Sequence, residues 1–190
     1  NEFTVINAIA PEKDVDGFNI INKGLLSTTH NSNFIPCTPL GILKLLENYK
    51  IKIDGKNVVI LGRSNIVGKP MAELMLAKNA TITICHSHTK HLKDITKTAD
   101  ILISAMGTKA NQITASYIKP KACIVDVAMI RNEKTKKLTG DIDFKSVSKI
   151  ASYITPIPGG VGPMTIAMLM NNTIKAFLIQ NKIKYEDKQI

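Results

Sequence analysis

The order of short apolar runs and helical patterns constrains the fold of this chain more than any other feature of its sequence. The runs are rich in valine and isoleucine and do not alternate with polar residues, which is typical of strands covered on both faces. They lie at 57–61, 80–85, 100–105 and 122–127, with 152–154 as a shorter fifth candidate. Helical patterns separate them at 67–78, at 88–98 and, more briefly, near 112–117. Strands that alternate with helices predict an α/β fold with a doubly wound parallel sheet.

Two more helices are predicted on either side of this core. The first begins at Thr38-Pro39, where a hydroxyl cap would precede a proline at the first helical position. The second begins at Pro163 and runs towards Gln180, with apolar residues at helical spacing. Both helices are expected to pack against something outside the sheet. The first 36 residues contain turn signals but predict no helix or strand of their own.

Composition and charge argue against several classes of protein. An apolar content of 44% argues against disorder, and the sequence has neither an apolar run long enough for a membrane span nor a secretion signal. The net charge of +10 comes largely from lysines spread over the whole length, and aromatic residues, at 5%, are not interleaved with them. The sequence therefore predicts no membrane and no nucleic-acid partner. It favours a basic surface that attracts an anionic small molecule.

Cysteine and histidine patterns predict neither a disulfide framework nor a metal site. Cys37, Cys85 and Cys123 are widely spaced in apolar sequence, which favours a reducing compartment. Three histidines lie together near one strand-to-helix junction, but no cysteine pair or carboxylate pair accompanies them. We interpret these histidines, at 86, 88 and 91, as polar residues of a loop and a helix start.

The turn after the first strand predicts an anion-binding site. Residues 62–70 place glycines where a strand gives way to a helix, so that the backbone can approach a ligand closely. The helix would present unpaired N–H groups and the positive end of its dipole to a phosphate. Because the spacing departs from G-x-G-x-x-G, an ordinary tight turn remains an alternative for this motif alone.

The end of the second strand indicates which dinucleotide such a site would prefer. NAD-selective sites usually end this strand with an acidic residue that binds the ribose 2′-hydroxyl. Here the strand ends with Ile84-Cys85-His86-Ser87-His88, which contains no carboxylate. Ser87 offers a hydrogen-bond donor, and the Arg63 guanidinium can bind a 2′-phosphate through two hydrogen bonds. The cofactor predicted for this Rossmann-like domain is therefore NADP.

Residues 155–165 form the most unusual stretch of the chain. Three prolines and three glycines predict a rigid loop with exposed backbone donors and acceptors, followed by a helix start. Such a loop suits a flat polar ligand that lies against main chain. Taken alone, it is equally compatible with a simple connection between a strand and a helix.

Six motifs, in this order and over almost the whole chain, closely resemble the bifunctional methylenetetrahydrofolate dehydrogenase/methenyltetrahydrofolate cyclohydrolase family. They lie at 11–18, 36–41, 62–70, 85–87, 140–144 and 156–165. The resemblance implies an NADP enzyme of one-carbon metabolism in the cytoplasm, or in an organelle if a leader lies upstream, and usually a homodimer. The family oxidises 5,10-methylenetetrahydrofolate to the methenyl form and hydrolyses that product to 10-formyltetrahydrofolate. Acidic polyglutamyl folates would suit a basic protein.

The resemblance also implies roles for individual residues. Those expected to bind the tetrahydrofolate substrate are Asp16, Pro158, Gly159, Gly160 and Gly162. Those expected to bind NADP are Thr38, Met129 and Thr165 near the nicotinamide, and Gly62, Arg63, Ser64 and Ser87 at the adenosine end. The family usually has glycine where this chain has Ala128, so a methyl group narrows that part of the site.

The family's tyrosine and catalytic lysine, four residues apart, precede the motif at 11–18, and this chain begins too late to contain them. Tyr117 and Lys121 repeat that spacing, but Pro120 opposes a helix between them, so the match is interpreted as coincidental. We therefore expect no catalytic residue and no metal ligand in this chain. The expected division is a remnant of the N-terminal substrate domain with a linker (1–36), an NADP-binding domain (37–162) and a helix that packs back on the substrate domain (163–190). The alternative is a truncated, non-catalytic module for NADP binding or dimerisation.

Overall fold

A single parallel sheet of five strands organises the protein. The computed structural model describes residues 1–28, 32–131, 133 and 136–183. Its strands are β1 (Asn57–Leu61), β2 (Thr81–Cys85), β3 (Ile101–Ser104), β4 (Cys123–Asp126) and β7 (Tyr153–Ile154); β5 (Ile130–Arg131) and β6 (Leu138–Thr139) form a separate antiparallel pair. The sheet has the order β2-β1-β3-β4-β7, and every pair in it is parallel. The predicted doubly wound parallel sheet is confirmed, and each predicted strand is present.

Helices cover both faces of this sheet. They are α1 (Glu2–Ala8), α2 (Ile20–Thr28), α3 (Cys37–Asn48), α4 (Gly68–Ala77), α5 (Leu92–Thr96), α6 (Phe144–Val147) and α7 (Val161–Gln180), with short 3-10 turns at Pro11–Lys13 and Ala115–Tyr117. On one face, Val58 and Ile60 of β1 join a core with α3 and α4. On the other face, Val59 and Leu61 of the same strand join a core with α5 and the segments around Ile118 and Val147. The absence of polar alternation in β1 reflects this burial on both sides.

The edge strand β2 differs from the prediction of strands covered on both faces. Thr81, Thr83 and Ile84 are exposed, whereas Cys85 at the end of the strand is buried. A run of apolar residues cannot show which strand will lie at the edge of a sheet. That property depends on the strand order, which places β2 outside β1.

The expectation that the first 36 residues form no element is wrong, because α1 and α2 both lie there. Polar contacts hold this region together. The buried Asp14 carboxylate accepts hydrogen bonds from the backbone N–H groups of Phe18 and Asn19 and from the Asn22 side chain. The Asn7 side chain in turn accepts a bond from the N–H of Ile20 at the start of α2.

The helix boundaries also correct the predicted caps. Helix α3 begins at Cys37 rather than after a Thr38 cap, since the hydroxyl of Thr38 lies against Thr165 instead. Helix α7 begins at Val161, two residues before Pro163. Helix α5 covers only part of the predicted 88–98, and the segment near 112–117 is a 3-10 turn. Within the described ranges, no helix is both long enough and apolar enough to cross a membrane.

Candidate functional site

A cavity of about 550 Å³ lies at the carboxyl end of β1 and β2, and we call it the arginine cavity. The loops after three strands form its walls. Among its lining residues are all four that were predicted at the adenosine end: Gly62, Arg63, Ser64 and Ser87. Leu61, Cys85, His86, Thr89, Leu92, Ala105, Met106, Thr108 and Gln112 complete the described lining, which contains no carboxylate. Arg63 and Ser87 are both exposed and thus accessible to an anion.

Two glycines fix the backbone path at this cavity. Gly62 has a φ of +115°, and a Cβ there would lie 2.5 Å from the carbonyl oxygen of Ala105. A Cβ at Gly68 would collide with the carbonyl group of Gly62. The start of α4 therefore packs directly on the turn that ends β1, and only glycine fits at either position.

Ser64 serves this turn in a way that sequence reasoning did not anticipate. Its Oγ accepts hydrogen bonds from the N–H groups of Val67 at 3.1 Å and Gly68 at 3.3 Å, and its carbonyl accepts one from Lys69. The expectation that α4 presents unpaired N–H groups is therefore wrong for these amides. An anion in the arginine cavity would instead meet the Arg63 guanidinium and the Ser87 hydroxyl.

A second cavity, of about 580 Å³, lies beside the loop that joins β7 to α7, and we call it the proline–glycine cavity. It gathers seven predicted site residues from distant parts of the chain: Thr38, Met129, Pro158, Gly159, Gly160, Gly162 and Thr165. A Cβ at Gly159 or Gly162 would meet no other group within 4 Å, so glycine leaves open space there. Gly160 instead packs closely on the carbonyl oxygen of Pro156, at 2.5 Å from an added Cβ.

The starts of α3 and α7 meet at this cavity. Thr38 Oγ1 and Thr165 Oγ1 are 3.0 Å apart, within hydrogen-bonding distance. The two helices can approach so closely because Gly41 faces Met164, where an added Cβ would lie 3.0 Å from the Met164 Cβ. The hydroxyl pair therefore joins two elements separated by more than 100 residues of chain.

Asp126, at the end of β4, also lines the proline–glycine cavity, and sequence reasoning did not select it. Its carboxylate is buried and accepts hydrogen bonds from the N–H groups of Ala128, Asp141 and Ile142. Burial, together with the neighbouring Asp141 carboxylate, raises the pKa of Asp126 to about 6 despite these bonds. A polar residue that ends an apolar run at the carboxyl edge of a sheet was the available signal.

Asp16, the remaining predicted substrate residue, is exposed and lies outside the lining of the proline–glycine cavity. Cys37 Sγ, in the first turn of α3, lies 3.9 Å from Asp16 Oδ1. Burial first and Asp16 second raise the pKa of the Cys37 thiol to about 11, so this thiol is protonated at neutral pH. It is therefore not a thiolate nucleophile.

Asn172 of α7 connects these segments and was also missed. Its side chain is 2% exposed, and its Nδ2 donates hydrogen bonds to the carbonyl oxygens of Val15 at 2.8 Å and Ile35 at 3.2 Å. It thereby fixes the backbone next to Asp16 relative to the start of α3. Helical spacing alone gives no signal for such a contact, because its partners are 157 and 137 residues away.

Tyr117, Lys121 and His88 line neither cavity, whereas His86 lines the arginine cavity. Tyr117 ends a 3-10 turn and Lys121 has a left-handed backbone, so the predicted lack of a helix between them is confirmed. His86 and His88 contact each other edge to face, with ring centroids 5.9 Å apart. In the part of the chain that the structure describes, no three histidine, cysteine or acidic side chains are grouped to hold a metal ion.

Comparisons with known proteins agree with this geometry. A family model described as "Tetrahydrofolate dehydrogenase/cyclohydrolase, NAD(P)-binding domain" matches residues 36–181. The bifunctional protein FolD of Caldicellulosiruptor saccharolyticus is 55% identical over 183 residues, which are 95% of this chain and 65% of that protein. FolD of Burkholderia pseudomallei is 57% identical over 172 residues, 90% of this chain and 59% of that protein. The chain therefore spans slightly less than two thirds of either relative.

Solved structures give the same result. The FolD methylenetetrahydrofolate dehydrogenase/cyclohydrolase of Campylobacter jejuni superposes with a TM-score of 0.91 and 48% identity, over 96% of this chain and 63% of that chain. The Trypanosoma brucei enzyme, solved with NADP cofactor and an inhibitor, superposes with a TM-score of 0.88 and 35% identity. That match covers 97% of this chain and 64% of the trypanosomal chain.

Proposed function

The chain belongs to the tetrahydrofolate dehydrogenase/cyclohydrolase family, and we therefore propose that the protein oxidises 5,10-methylenetetrahydrofolate with NADP. The same protein then hydrolyses the methenyl product to 10-formyltetrahydrofolate. The observation that carries this proposal is the grouping of 11 of the 12 predicted site residues into two cavities, four in one and seven in the other. Ligands of parallel α/β sheets bind outside the carboxyl ends of the strands, where both cavities lie.

The residues of the arginine cavity fit the adenosine end of NADP. Its described lining holds one guanidinium and no carboxylate, so a 2′-phosphate would find a charged donor and no repulsion. Gly62 and Gly68 keep the turn tight beside it, where a Cβ would collide with backbone. Ser64 orders the same turn through its bonds to Val67 and Gly68.

The residues of the proline–glycine cavity fit a flat ring system. We place the nicotinamide near Thr38, Met129 and Thr165, and the folate along Pro158, Gly159, Gly160 and Gly162. The space left by Gly159 and Gly162 supports close packing of a ring on the backbone. When bound, NADP supplies the hydride acceptor for the oxidation. The chain's own residues then hold the donor carbon and the acceptor ring against each other and exclude water.

We place the rest of the substrate cleft on the exposed side of α7. Ile166, Met170, Ile174 and Phe177 form a stripe along this helix, and each is at least 57% exposed. This stripe supports the division into a substrate-domain remnant (1–36), an NADP-binding domain (37–162) and a packing helix (163–190). A substrate domain against the stripe would bring the tyrosine and lysine for proton transfer to the cleft next to Asp16.

We propose a homodimer in the cytoplasm as the working form, or in an organelle if a leader is present. Cys37, Cys85 and Cys123 are free thiols, which supports a reducing compartment. Exposed Phe144 and Tyr153, near the β7 edge of the sheet, support an apolar contact between protomers. The molar mass of the protein by light scattering tests this assembly, and a monomer at micromolar concentration contradicts it.

Cofactor selectivity provides the test of the proposed function. In the protein as its gene encodes it, Arg63→Glu should weaken NADP binding by about 30-fold or more and NAD binding by less than about 3-fold, because it removes charge-assisted bonds to the 2′-phosphate. Lys69→Glu is the matched control: Lys69 lies in the same segment, contacts Asn65 and lines neither cavity. It makes the same change in charge and should leave the NADP/NAD ratio within about 3-fold. Equal losses for both cofactors contradict the assignment.

Formation of the methenyl product tests the reaction itself. The wild-type protein should oxidise 5,10-methylenetetrahydrofolate in the presence of NADP, as followed by absorbance of the NADPH formed, which the later hydrolysis does not consume. NADP binding without any turnover would favour the alternative, a non-catalytic module for NADP binding or dimerisation.

A further inference from the structure

Two buried carboxylates, Asp126 and Asp141, accept hydrogen bonds from the segments that line the two cavities. Asp126 is 3% exposed and Asp141 is fully buried. A buried carboxylate needs hydrogen-bond partners, whereas an apolar side chain at the same position would need none. The ion pairs among the described residues involve other acidic side chains, namely Glu47, Asp94 and Asp100. Both carboxylates are instead stabilised by hydrogen bonds from backbone N–H groups and one hydroxyl, which offset the cost of burying them. Each of these donors belongs to a specific segment of the chain.

The Asp126 carboxylate binds the segment that continues into the proline–glycine cavity. Its Oδ1 accepts a hydrogen bond from the N–H of Ala128 at 3.3 Å, and Ala128 and Met129 line that cavity. The backbone of Asp126 is itself held by Thr155, whose Oγ1 accepts its N–H at 2.8 Å. The carboxylate thus fixes the chain immediately before Met129.

The Asp141 carboxylate binds the segment that continues into the arginine cavity. Its Oδ2 accepts hydrogen bonds from Ser104 Oγ and the N–H of Met106, both at 2.8 Å. Its Oδ1 accepts a third from the N–H of Gly107 at 3.0 Å. Ala105 and Met106 line the arginine cavity, and Ala105 is also the residue on which Gly62 packs.

Two hydrogen bonds link the contacts of Asp126 to those of Asp141. The N–H of Asp141 donates to Asp126 Oδ1 at 3.2 Å, and the N–H of Ile142 donates to Asp126 Oδ2 at 2.9 Å. Gly140 packs so closely on Asp126 that a Cβ would collide with the carboxylate. A continuous series of hydrogen bonds therefore runs from Ala128 through Asp126 and Asp141 to Met106.

We propose that Asp126 and Asp141 are positioning residues that hold the nicotinamide and adenosine halves of the cofactor site in fixed relation to each other. The inference rests on the proposed function, because it requires one NADP to occupy both cavities. A dinucleotide bound at both ends gains affinity from its second half only if the two cavities are correctly spaced. Asp126 acts on the nicotinamide half through the backbone of Ala128, and Asp141 acts on the adenosine half through the backbone of Met106.

The experiment compares a fragment with the whole cofactor in the protein as its gene encodes it. Adenosine 2′,5′-bisphosphate reaches only the arginine cavity, whereas NADP reaches both. Asp126→Asn should leave the Kd of the fragment within about 2-fold but raise the Kd of NADP by about 10-fold or more, because the nicotinamide half loses its aligned backbone. Asp141→Asn should raise the Kd of both ligands by about 10-fold.

Asp143→Asn provides the matched control. Asp143 lies two residues from Asp141 in the same motif, and its side chain makes no capping bond to α6. The same chemical change there should leave both dissociation constants within about 2-fold. Calorimetric titration measures all of these values without dependence on turnover.

A milder variant addresses the case in which the Asn variants fail to fold. Ser104→Ala removes one donor to Asp141 and should raise the Kd of the fragment by about 3-fold, with a similar rise for NADP. Parallel losses of the two ligands in Asp126→Asn, or no change in Ser104→Ala, would overturn the inference while the proposed function stands. A wild-type protein that binds the fragment and NADP equally well would also overturn the inference, since NADP would then use only one cavity, whereas a wild-type protein that binds neither ligand would contradict the proposed function as well.

Discussion

The arginine cavity and the proline–glycine cavity are similar in volume but are built in opposite ways. The first is formed by three loops that each directly follow a strand, at the ends of β1, β2 and β3. The second brings together the start of α3, the end of β4 and the loop before α7, which are far apart in sequence. Its lining also reaches Ile166, which is 65% exposed on the outer side of α7. The first cavity thus depends on local turns, whereas the second depends on long-range packing.

Gly68 beside the arginine cavity and Gly162 in the proline–glycine cavity differ in what an added methyl group would meet, and this difference yields the largest expected effect. Gly68→Ala should lower the free energy of unfolding by about 3 kcal/mol, because its Cβ would collide with the Gly62 carbonyl in a turn that cannot move away from Ala105. NADP binding should be lost together with stability. Denaturant unfolding and titration of the cofactor measure the two effects.

Gly162→Ala is the corresponding change in the proline–glycine cavity. An added Cβ there meets nothing within 4 Å, and Gly162 lies in the first turn of α7. The free energy of unfolding should stay constant or rise by up to about 1 kcal/mol, whereas ligand binding should weaken because the methyl group occupies ligand space. If both alanine variants changed stability equally, the contrast between the cavities would be wrong.

The second difference is electrostatic, since Asp126 lines the proline–glycine cavity and no carboxylate lines the described wall of the arginine cavity. The pKa of Asp126 is raised from its ordinary 3.8 to about 6 by burial. Below pH 4 both folded and unfolded chains hold the proton. Between pH 4 and 6 the unfolded chain releases it while the folded chain keeps it, so the free energy of unfolding falls as pH rises. The loss should reach about 3 kcal/mol above pH 6.

The Asp126→Asn variant isolates this contribution from those of other acidic groups. The Asn amide does not titrate, so the contribution of this side chain to the free energy of unfolding of the variant does not depend on pH. The free energy of unfolding of the wild type minus that of the variant should therefore decrease between pH 4 and pH 7, most steeply near pH 5. Urea unfolding at half-unit pH steps measures this difference, and a difference independent of pH contradicts a raised pKa.

The same contrast explains how much of the molecule could be predicted from its sequence. The strands and the arginine cavity were predicted closely, because apolar runs and the Gly62-Arg63-Ser64 turn are local signals. Asn172 was missed because its partners lie far away in the chain, 157 residues for Val15 and 137 for Ile35. Asp126 was missed although its position at the end of the apolar run of β4 was a local signal. The prolines and glycines of residues 155–165 were a local signal for one wall of the proline–glycine cavity, whereas the resemblance to a family supplied Thr38 and Met129, which lie far from that loop in the sequence.

Helices α1 and α2 were missed for another reason. Their apolar residues are largely exposed, as with Phe3, Val5, Ile20 and Ile21, so no periodic buried face marks them. The two helices are instead stabilised by side-chain contacts with the turn at Asp14. One of these contacts is the hydrogen bond from Asn19 Nδ2 to the carbonyl oxygen of Ile9. Hydrogen bonds of this kind depend on the arrangement of several turns and leave no periodicity in the sequence.

The smallest predicted effect measures how strongly long-range packing holds the proline–glycine cavity together. Thr38→Val and Thr165→Val each remove one hydroxyl of the 3.0 Å pair while keeping the shape of the side chain. Each should lower the free energy of unfolding by about 1 kcal/mol, and the double variant should lose less than the sum, with a coupling of about 0.5–1 kcal/mol. The coupling is expected because either change removes the bond between the two hydroxyls. Thr165→Val also removes the bond from Thr165 Oγ1 to the carbonyl oxygen of Val161, and that loss is the same in the single and the double variant.

Thr173→Val on the same helix is the matched control for this cycle. Its hydroxyl donates to the carbonyl of Leu169 one turn earlier and faces solvent, so it makes no contact with α3. Combined with Thr38→Val it should give an additive loss, because the two sites share no partner. If the losses of free energy of unfolding for Thr38→Val and Thr165→Val were also additive, the hydroxyl pair would not stabilise the contact between the starts of α3 and α7. The position of the nicotinamide would then depend on the proline–glycine loop and on Asp126 alone.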